Sequence, residues 1–381
     1  MNSADLAHRA DTRLPTLTGL RFVAVAMVFG FHFSHELLFS DDTAGLVFLI
    51  IFVVAGPVGV SFFFALSGFV LTWNAKPGEP ARLFWRRRAA KILPSHAVTW
   101  LAALLLTIWA GKEVLTEAAL SNLLLVQSWI PDTRIFFSMN DVSWSLSCEA
   151  FFYLAFPLIF RYVARIRTDR LWRWVFGVTV LIFLVPLLAK ITLPDQPRFI
   201  DTPVPQLWAV YNLPLARALE FVLGMLMARI VREGRWIRLG VGRAALIALI
   251  AYVLTPVVPL LWSYVAVCAL PMCLLVAAAA SADIEGRRSR LRGRTMVWLG
   301  EVSFACYLVH RLILVYGHRA IGPDSKWSTP VVALLFAVAA GLTVLLAWLL
   351  YTYVEKPFMR RFSRPSSRAR PERDRPGDGG P

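Results

Sequence analysis

Cysteine is scarce in this chain of 381 residues. The four thiols, Cys148, Cys268, Cys273 and Cys306, lie in apolar stretches, and neither a CxxC pair nor an HExxH motif occurs. No metal site of those kinds is therefore written in the sequence, and the thiols read as small buried hydrophobes. Acid is scarce too: 24 Asp and Glu against 40 Lys and Arg, a formal net charge of +16. Also missing is any polar stretch long enough to fold as a second unit, so one principal domain is expected.

What the chain has in abundance is apolar residues. They make up 57% of it, with mean hydropathy +0.60. A soluble domain is usually below half apolar, so these values exclude an ordinary soluble fold. Apolar runs near 20 residues, broken by short loops, read as an all-α polytopic membrane helix bundle. Ten spans are expected, at about 18–38, 57–73, 93–111, 143–161, 174–191, 207–229, 243–258, 261–282, 296–316 and 329–351. The seventh is the weakest. Residues 44–56 are apolar but too short to span alone and fit an interfacial or re-entrant piece. The first apolar segment is too long for a signal peptide, and further spans follow it.

The basic residues follow the loops. With both termini in the cytoplasm, the inner segments hold 31 of the 40 Lys and Arg, the outer segments 6 and the spans 3: Arg21, Arg217 and Arg311. This asymmetry obeys the positive-inside rule for a multi-pass protein of the plasma (inner) membrane, with both termini expected in the cytoplasm. It also explains the net charge without a nucleic-acid partner; the lipid bilayer is the expected one. Residues 359–381, rich in Pro, Arg, Ser and Gly, are expected to form a disordered basic tail after a membrane domain of 1–358.

Ionisable groups inside a span are costly, so they direct attention to function. Arg21 and His32 are eleven residues apart in the first span. At ~100° per residue they share a helix face, separated by ~16 Å along the axis. His32, Glu149 and His310 each fall roughly 9 Å from the outer end of their span, which puts them in one expected layer. On the inner side, Arg88 and Lys91 share a face at the entry to span three, near the depth of Arg21. Such a cation cluster suits a phosphate-bearing ligand, although basic loops also enforce topology and bind anionic lipid. Arg217 and Glu220, three residues apart, are placed to neutralise each other, and Ser67, Gly68 and Gly224 to let helices approach closely.

Several segments in order resemble the acyltransferase-3 family of integral membrane O-acyltransferases. They are Leu17-Thr-Gly-Leu-Arg21 with His32, Gly59-Val-Ser-Phe-Phe-Phe-Ala-Leu-Ser67-Gly68-Phe, and the basic entry to span three. Trp144-Ser-Leu-Ser-Cys-Glu149-Ala-Phe-Phe-Tyr153 and Glu220-Phe-Val-Leu-Gly224 follow. Leu299-Gly-Glu-Val-Ser303-Phe-Ala-Cys-Tyr307-Leu-Val-His310 and Val354-Glu355-Lys-Pro357-Phe complete the set. The wording looks like the actinobacterial branch that includes macrolide-tailoring enzymes. The resemblance implies transfer of a short acyl group, acetyl first, from acyl-CoA to a hydroxyl of a glycan or of a glycosylated or polyketide product. His32 becomes the expected base and Glu149 its partner. Arg21, Arg88 and Lys91 become the expected donor site, and His310, Tyr307, Ser147 and Tyr153 further cavity residues. The family often has Arg-x-x-Arg where this chain has Arg88-Ala-Ala-Lys91; lysine keeps the charge but loses the bidentate fork. No esterase-like domain follows the last span, so a second catalytic step is not expected. The competing class is a transporter or flippase of a sugar-linked product, since intramembrane Arg, His and Glu also suit proton-coupled transport. Internal repeats and matched broken helices, which transport would favour, are not evident.

Overall fold

The computed structural model describes residues 14–76 and 78–362. Helices dominate; the described residues add a two-residue strand pair, Arg198–Phe199 with Thr202–Pro203, in one loop, and an isolated bridge between Phe39 and Trp327. The long helices are α1 (Pro15–Ser34), α2 (Asp42–Phe52), α3 (Ala55–Trp73), α4 (Ala81–Trp109), α5 (Thr116–Leu123) and α6 (Trp144–Arg165). They continue with α7 (Leu171–Thr192), α8 (Pro214–Arg232), α9 (Val241–Leu254), α10 (Ala266–Ile284), α11 (Arg294–Ile321) and α12 (Thr329–Leu350). Eight helical segments are long and apolar enough to cross a membrane. The two remaining expected spans differ for clear reasons. The α8 helix carries Arg217, Glu220, Arg229 and Arg232, and α9 is apolar but short. The protein is thus a polytopic membrane helix bundle.

Local chemistry sets the boundaries. Pro15 opens α1, where its missing N–H costs nothing. Asp41 caps α2, its carboxylate accepting from the N–H groups of Thr43 (2.9 Å) and Ala44 (3.1 Å). The short apolar piece is α2 itself; it exposes Leu46, Val47, Ile50 and Ile51, as an interfacial helix would. The α4 helix begins at Ala81, twelve residues before the expected span, so the basic entry is helical throughout. The expected span 207–229 is interrupted: a π-turn, Trp208–Asn212, precedes Pro214 and α8. A second π-turn, Tyr351–Glu355, joins α12 to a last helix, Lys356–Phe362. That helix occupies the first four residues of the expected tail; 363–381 lie outside the described residues.

The core is built on α8, α3, α10, α11 and α1. The α10 and α11 helices are much more buried than α12, which is mostly exposed, so α12 lies at the rim. The tightest pair is α3 with α8. A Cβ on Gly68 would sit 1.9 Å from the Phe221 carbonyl oxygen, and one on Gly224 1.9 Å from that of Ala65. Both glycines are required by this crossing, as their spacing suggested.

Arg217 and Glu220 are fully buried on α8 and pair at 2.9 Å. The guanidinium also faces Phe64, Tyr211 and Trp144, at 4.9, 5.3 and 5.9 Å from the ring centroids. Aromatic faces favour a desolvated cation, so this pair is a structural lock between α8, α3 and α6.

Candidate active site

An internal cavity of about 70 Å³ lies between α1, α3, α4, α6 and α11, lined by Arg21, Val60, Phe63, Phe64, Lys91, Ile92, Ser145, Leu146, Glu149, Tyr153, Ser303, Phe304 and Tyr307. A water needs about 10–15 Å³ by this kind of measure, so the space holds a few waters or a small acyl group. Helical geometry explains which α6 residues reach it. Ser145, Glu149 and Tyr153 are spaced by four and share one face. Ser147 is ~200° from Ser145 and turns away; it is buried, its hydroxyl unpartnered, and off the cavity wall. The expected cavity role of Ser147 is therefore corrected. Cys148 is also directed away, its thiol 3.3 Å from the Asn212 carbonyl oxygen.

One end of the cavity is ionic. Lys91 interacts with Arg21, Glu355, Arg88 and Glu149, and Glu149 with Lys91 and Arg21. The Tyr153 hydroxyl donates to Glu149 at 3.4 Å. Glu355, only 2% exposed, is brought to this group by the second π-turn, with one carboxylate oxygen unpartnered. Two half-buried cations thus share this end of the cavity with Glu149 and the buried Glu355.

Arg88 does not line this cavity. It stands at the junction with a second, larger space of about 620 Å³, lined among others by Lys76, Phe84, Trp85, Arg87, Arg88, Phe160 and Arg161. The Arg88 guanidinium is 5.5 Å from the Phe84 ring centroid and 5.9 Å from that of Tyr153, so it touches a wall of each compartment. Its Nε is buried without a partner. The Trp85 indole N–H donates to the Tyr153 carbonyl oxygen at 3.1 Å, tying α4 to α6 beside the junction. Arg87 is paired with Glu79.

At the other end of the cavity, the Tyr307 hydroxyl bonds the Ser145 hydroxyl (2.8 Å) and the Val142 carbonyl oxygen (3.1 Å). Next comes a pair of histidines. His310 Nε2 is 3.2 Å from His32 Nδ1; His32 Nδ1 is 2.9 Å from the Val28 carbonyl oxygen, and His310 Nδ1 is 2.7 Å from that of Tyr307. His310 is fully buried and His32 half-buried. Beyond them, Arg311 donates to Glu36 (2.6 Å) and Asp141 (2.7 Å), and His318 bonds Glu36 at 2.8 Å. Glu36 links Arg311 and His318 in this cluster.

The structure therefore brings together His32 with His310, and Arg21 and Lys91 with Glu149 and Tyr153. It does not bring Glu149 to His32. Ser145 and Tyr307 touch, fixing the two helices in register. From that level Glu149 lies four residues, ~6 Å, towards the ionic end, and His310 three residues, ~4.5 Å, the opposite way. The expected layer is thus split by about 10 Å. The error arose at the start of α6: Asp141, bonded to Arg311 inside the bundle, shows that this end is sunken, so Glu149 is deeper than a count from the span boundary implied.

The Acyltransferase domain model (acyltransferase-3) matches residues 14–352. The chain belongs to the acyltransferase-3 family. It is 40% identical over 361 residues to the acyltransferase MdmB of Streptomyces mycarofaciens, covering 92% of this chain and 93% of the relative. It is 26% identical over 161 residues to the peptidoglycan O-acetyltransferase OatA of Listeria monocytogenes, covering 38% of this chain and 24% of the relative. No solved structure matches. Membership accounts for an enzyme whose polar groups converge inside a membrane bundle. Sequence reasoning missed Ser145 and Ser303 on the wall, the Arg311 cluster, and Glu355 as a cavity-side acid. For Glu355 a signal existed, since a lone acid between Val354 and Lys356 closed the last matching motif.

Proposed function

We propose that this membrane acyltransferase moves a short acyl group, acetyl first, from acyl-CoA to a hydroxyl of a glycan or of a glycosylated or polyketide natural product. One observation carries the reading: a narrow cavity runs from two half-buried cations, Arg21 and Lys91, to Tyr307, one turn from His310, which contacts His32. The basic loops face the cytoplasm under the positive-inside rule, so the ionic end faces the source of acyl-CoA. The 620 Å³ vestibule offers Lys76, Arg88 and Arg161 to the anionic part of the donor. The orphaned Nε of Arg88 fits that role. The acyl arm then enters past Arg88 and Tyr153. The small cavity favours short acyl chains.

The chemistry follows from the residues. His32 Nε2 accepts the proton of the acceptor hydroxyl as its oxygen attacks the thioester carbonyl carbon. The tetrahedral intermediate collapses with cleavage of the C–S bond. The CoA thiolate leaves and takes the proton back from the His32 imidazolium, giving an ester, free CoA and neutral His32. A hydroxyl has a high pKa, so a positioned base is needed at neutral pH. Glu149 serves the donor end, balancing Lys91 and Arg21. We place the membrane domain at 1–358 and both termini in the cytoplasm.

The test uses membranes carrying wild type or His32→Ala at matched expression, supplied with acetyl-labelled acetyl-CoA and a host extract. Mass spectrometry should find labelled ester with wild type alone. Equal transfer by both would remove His32 from the chemistry.

A further inference from the structure

We propose that His310 is the positioning residue of the His32 base, accepting its Nδ1 proton and taking up part of the charge that His32 gains during transfer. The proposal rests on His32 being the base; the hydrogen-bond pattern carries the rest.

A neutral imidazole has one N–H and one lone pair. His310 Nδ1 faces two carbonyl oxygens, of Tyr307 at 2.7 Å and Cys306 at 3.2 Å. A lone pair there would be repelled by both, so Nδ1 carries the proton. His310 Nε2 is then an acceptor, and its neighbour at 3.2 Å is His32 Nδ1. His32 Nδ1 must therefore donate, and its second contact, the Val28 carbonyl oxygen at 2.9 Å, demands the same. His32 Nε2 is left with a free lone pair, the state a general base needs.

His32 Nδ1 shares its proton between the Val28 carbonyl oxygen and His310, and among side chains the surroundings leave this role to His310. Glu149 lies about 10 Å deeper along the bundle. His35 turns its Nδ1 to the Phe31 carbonyl oxygen (2.7 Å) and the Ser34 hydroxyl (3.2 Å). Arg311 is held by Glu36 and Asp141. That clamp ties the turn just after α1 to α11, the two helices that carry the histidines. When His32 Nε2 takes the hydroxyl proton, the His32–His310 bond becomes charge-assisted and strengthens. The gain is larger in the charged state than in the resting one, so it lowers the barrier rather than tightening binding.

Two measurements test this. In unmodified protein labelled with ¹⁵N-histidine in lipid bilayers, NMR should show coupling between His32 Nδ1 and His310 Nε2, with His32 Nε2 unprotonated. Absence of the coupling, or a proton on His32 Nε2, overturns the proposal. In the acetyl-transfer assay with host extract as acceptor, His310→Leu should lower kcat on the order of 10²-fold while KM for acetyl-CoA stays within about twofold. His310→Gln, whose amide oxygen can accept, should recover about tenfold of that loss. Unchanged kcat in His310→Leu, or a loss confined to KM, refutes it. Transfer that survives His32→Ala would instead refute the base assignment itself.

Discussion

Removing the Arg217 guanidinium should strand the Glu220 carboxylate in a site without water. Both side chains are fully buried, 2.9 Å apart, and the described neighbours of the cation are three aromatic rings and the Ser61 hydroxyl at 3.4 Å. Unpairing a buried ion pair costs about 3–5 kcal/mol. The stranded acid can escape by protonation, which from an ordinary Glu value of about 4.3 costs about 3.7 kcal/mol at pH 7. That figure caps the charge penalty of Arg217→Met. With an unfolding entropy of about 2.1 cal/mol/K per residue, roughly 350 residues give about 0.7 kcal/mol/K, so Tm should fall by about 5 °C. Since the penalty is proton uptake by the folded state, it shrinks as pH falls, at up to about 1.4 kcal/mol per unit. All four cysteines are free and buried, which suits a thiol-reactive fluorogenic dye as the unfolding probe. The double variant Arg217→Met/Glu220→Gln should regain part of the loss, because no charge is left unpaired. A fall in Tm below about 1 °C, or a double variant less stable than Arg217→Met, would refute the reasoning.

Other outcomes follow from the cavity and the helix crossing. Gly224→Leu places a side chain where even a Cβ lies 1.9 Å from the Ala65 carbonyl oxygen, so the folded fraction in size-exclusion chromatography should collapse. Lys91→Met removes a donor-site cation and should raise KM for acetyl-CoA by about 10-fold or more, since a charged hydrogen bond contributes about 1.5–3 kcal/mol. Glu355→Gln removes an acid that interacts with Lys91 and Arg21; CoA should bind it severalfold more tightly in a titration calorimeter, and unchanged binding would deny Glu355 that place. Tyr307→Phe loses the bonds to Ser145 and Val142 at the histidine end and should lower kcat about fivefold, near 1 kcal/mol, with little change in KM.

The bundle was legible because a membrane enforces its own arithmetic: apolar length and alternate basic loops mark the helices. Arg21 lines the cavity, while His32, on the same helix, stands beyond its Tyr307 end beside His310. So does the need for glycine at 68 and 224. What misled was depth. Counting from apolar boundaries assumes that spans end at the membrane surface, yet Asn140 and Asp141 are drawn into the bundle, Asn140 bonding the Leu308 carbonyl oxygen at 2.8 Å and Asp141 bonding Arg311. Glu149 moved with them to the cation end, and His310 took its place beside His32. The Ser147 error was one of phase, because a motif read as a string ignores the ~100° turn per residue. The π-turn that brings Glu355 inward left no periodicity to find, since one turn is too short to register as a change of pattern.

The central claim is that acyl-CoA docks in the vestibule at Arg88 and sends its acyl group through the cavity of Arg21 and Lys91 towards a base at His32. The direct test is purified protein in lipid nanodiscs with labelled acetyl-CoA and the acceptor-bearing host fraction. Free CoA thiol and labelled ester are measured together, and CoA binding separately. Wild type should release one thiol per ester formed, and His32→Ala should bind CoA as wild type does while forming neither product. Ester formation that persists in His32→Ala, or thiol release without ester in wild type, would contradict the account.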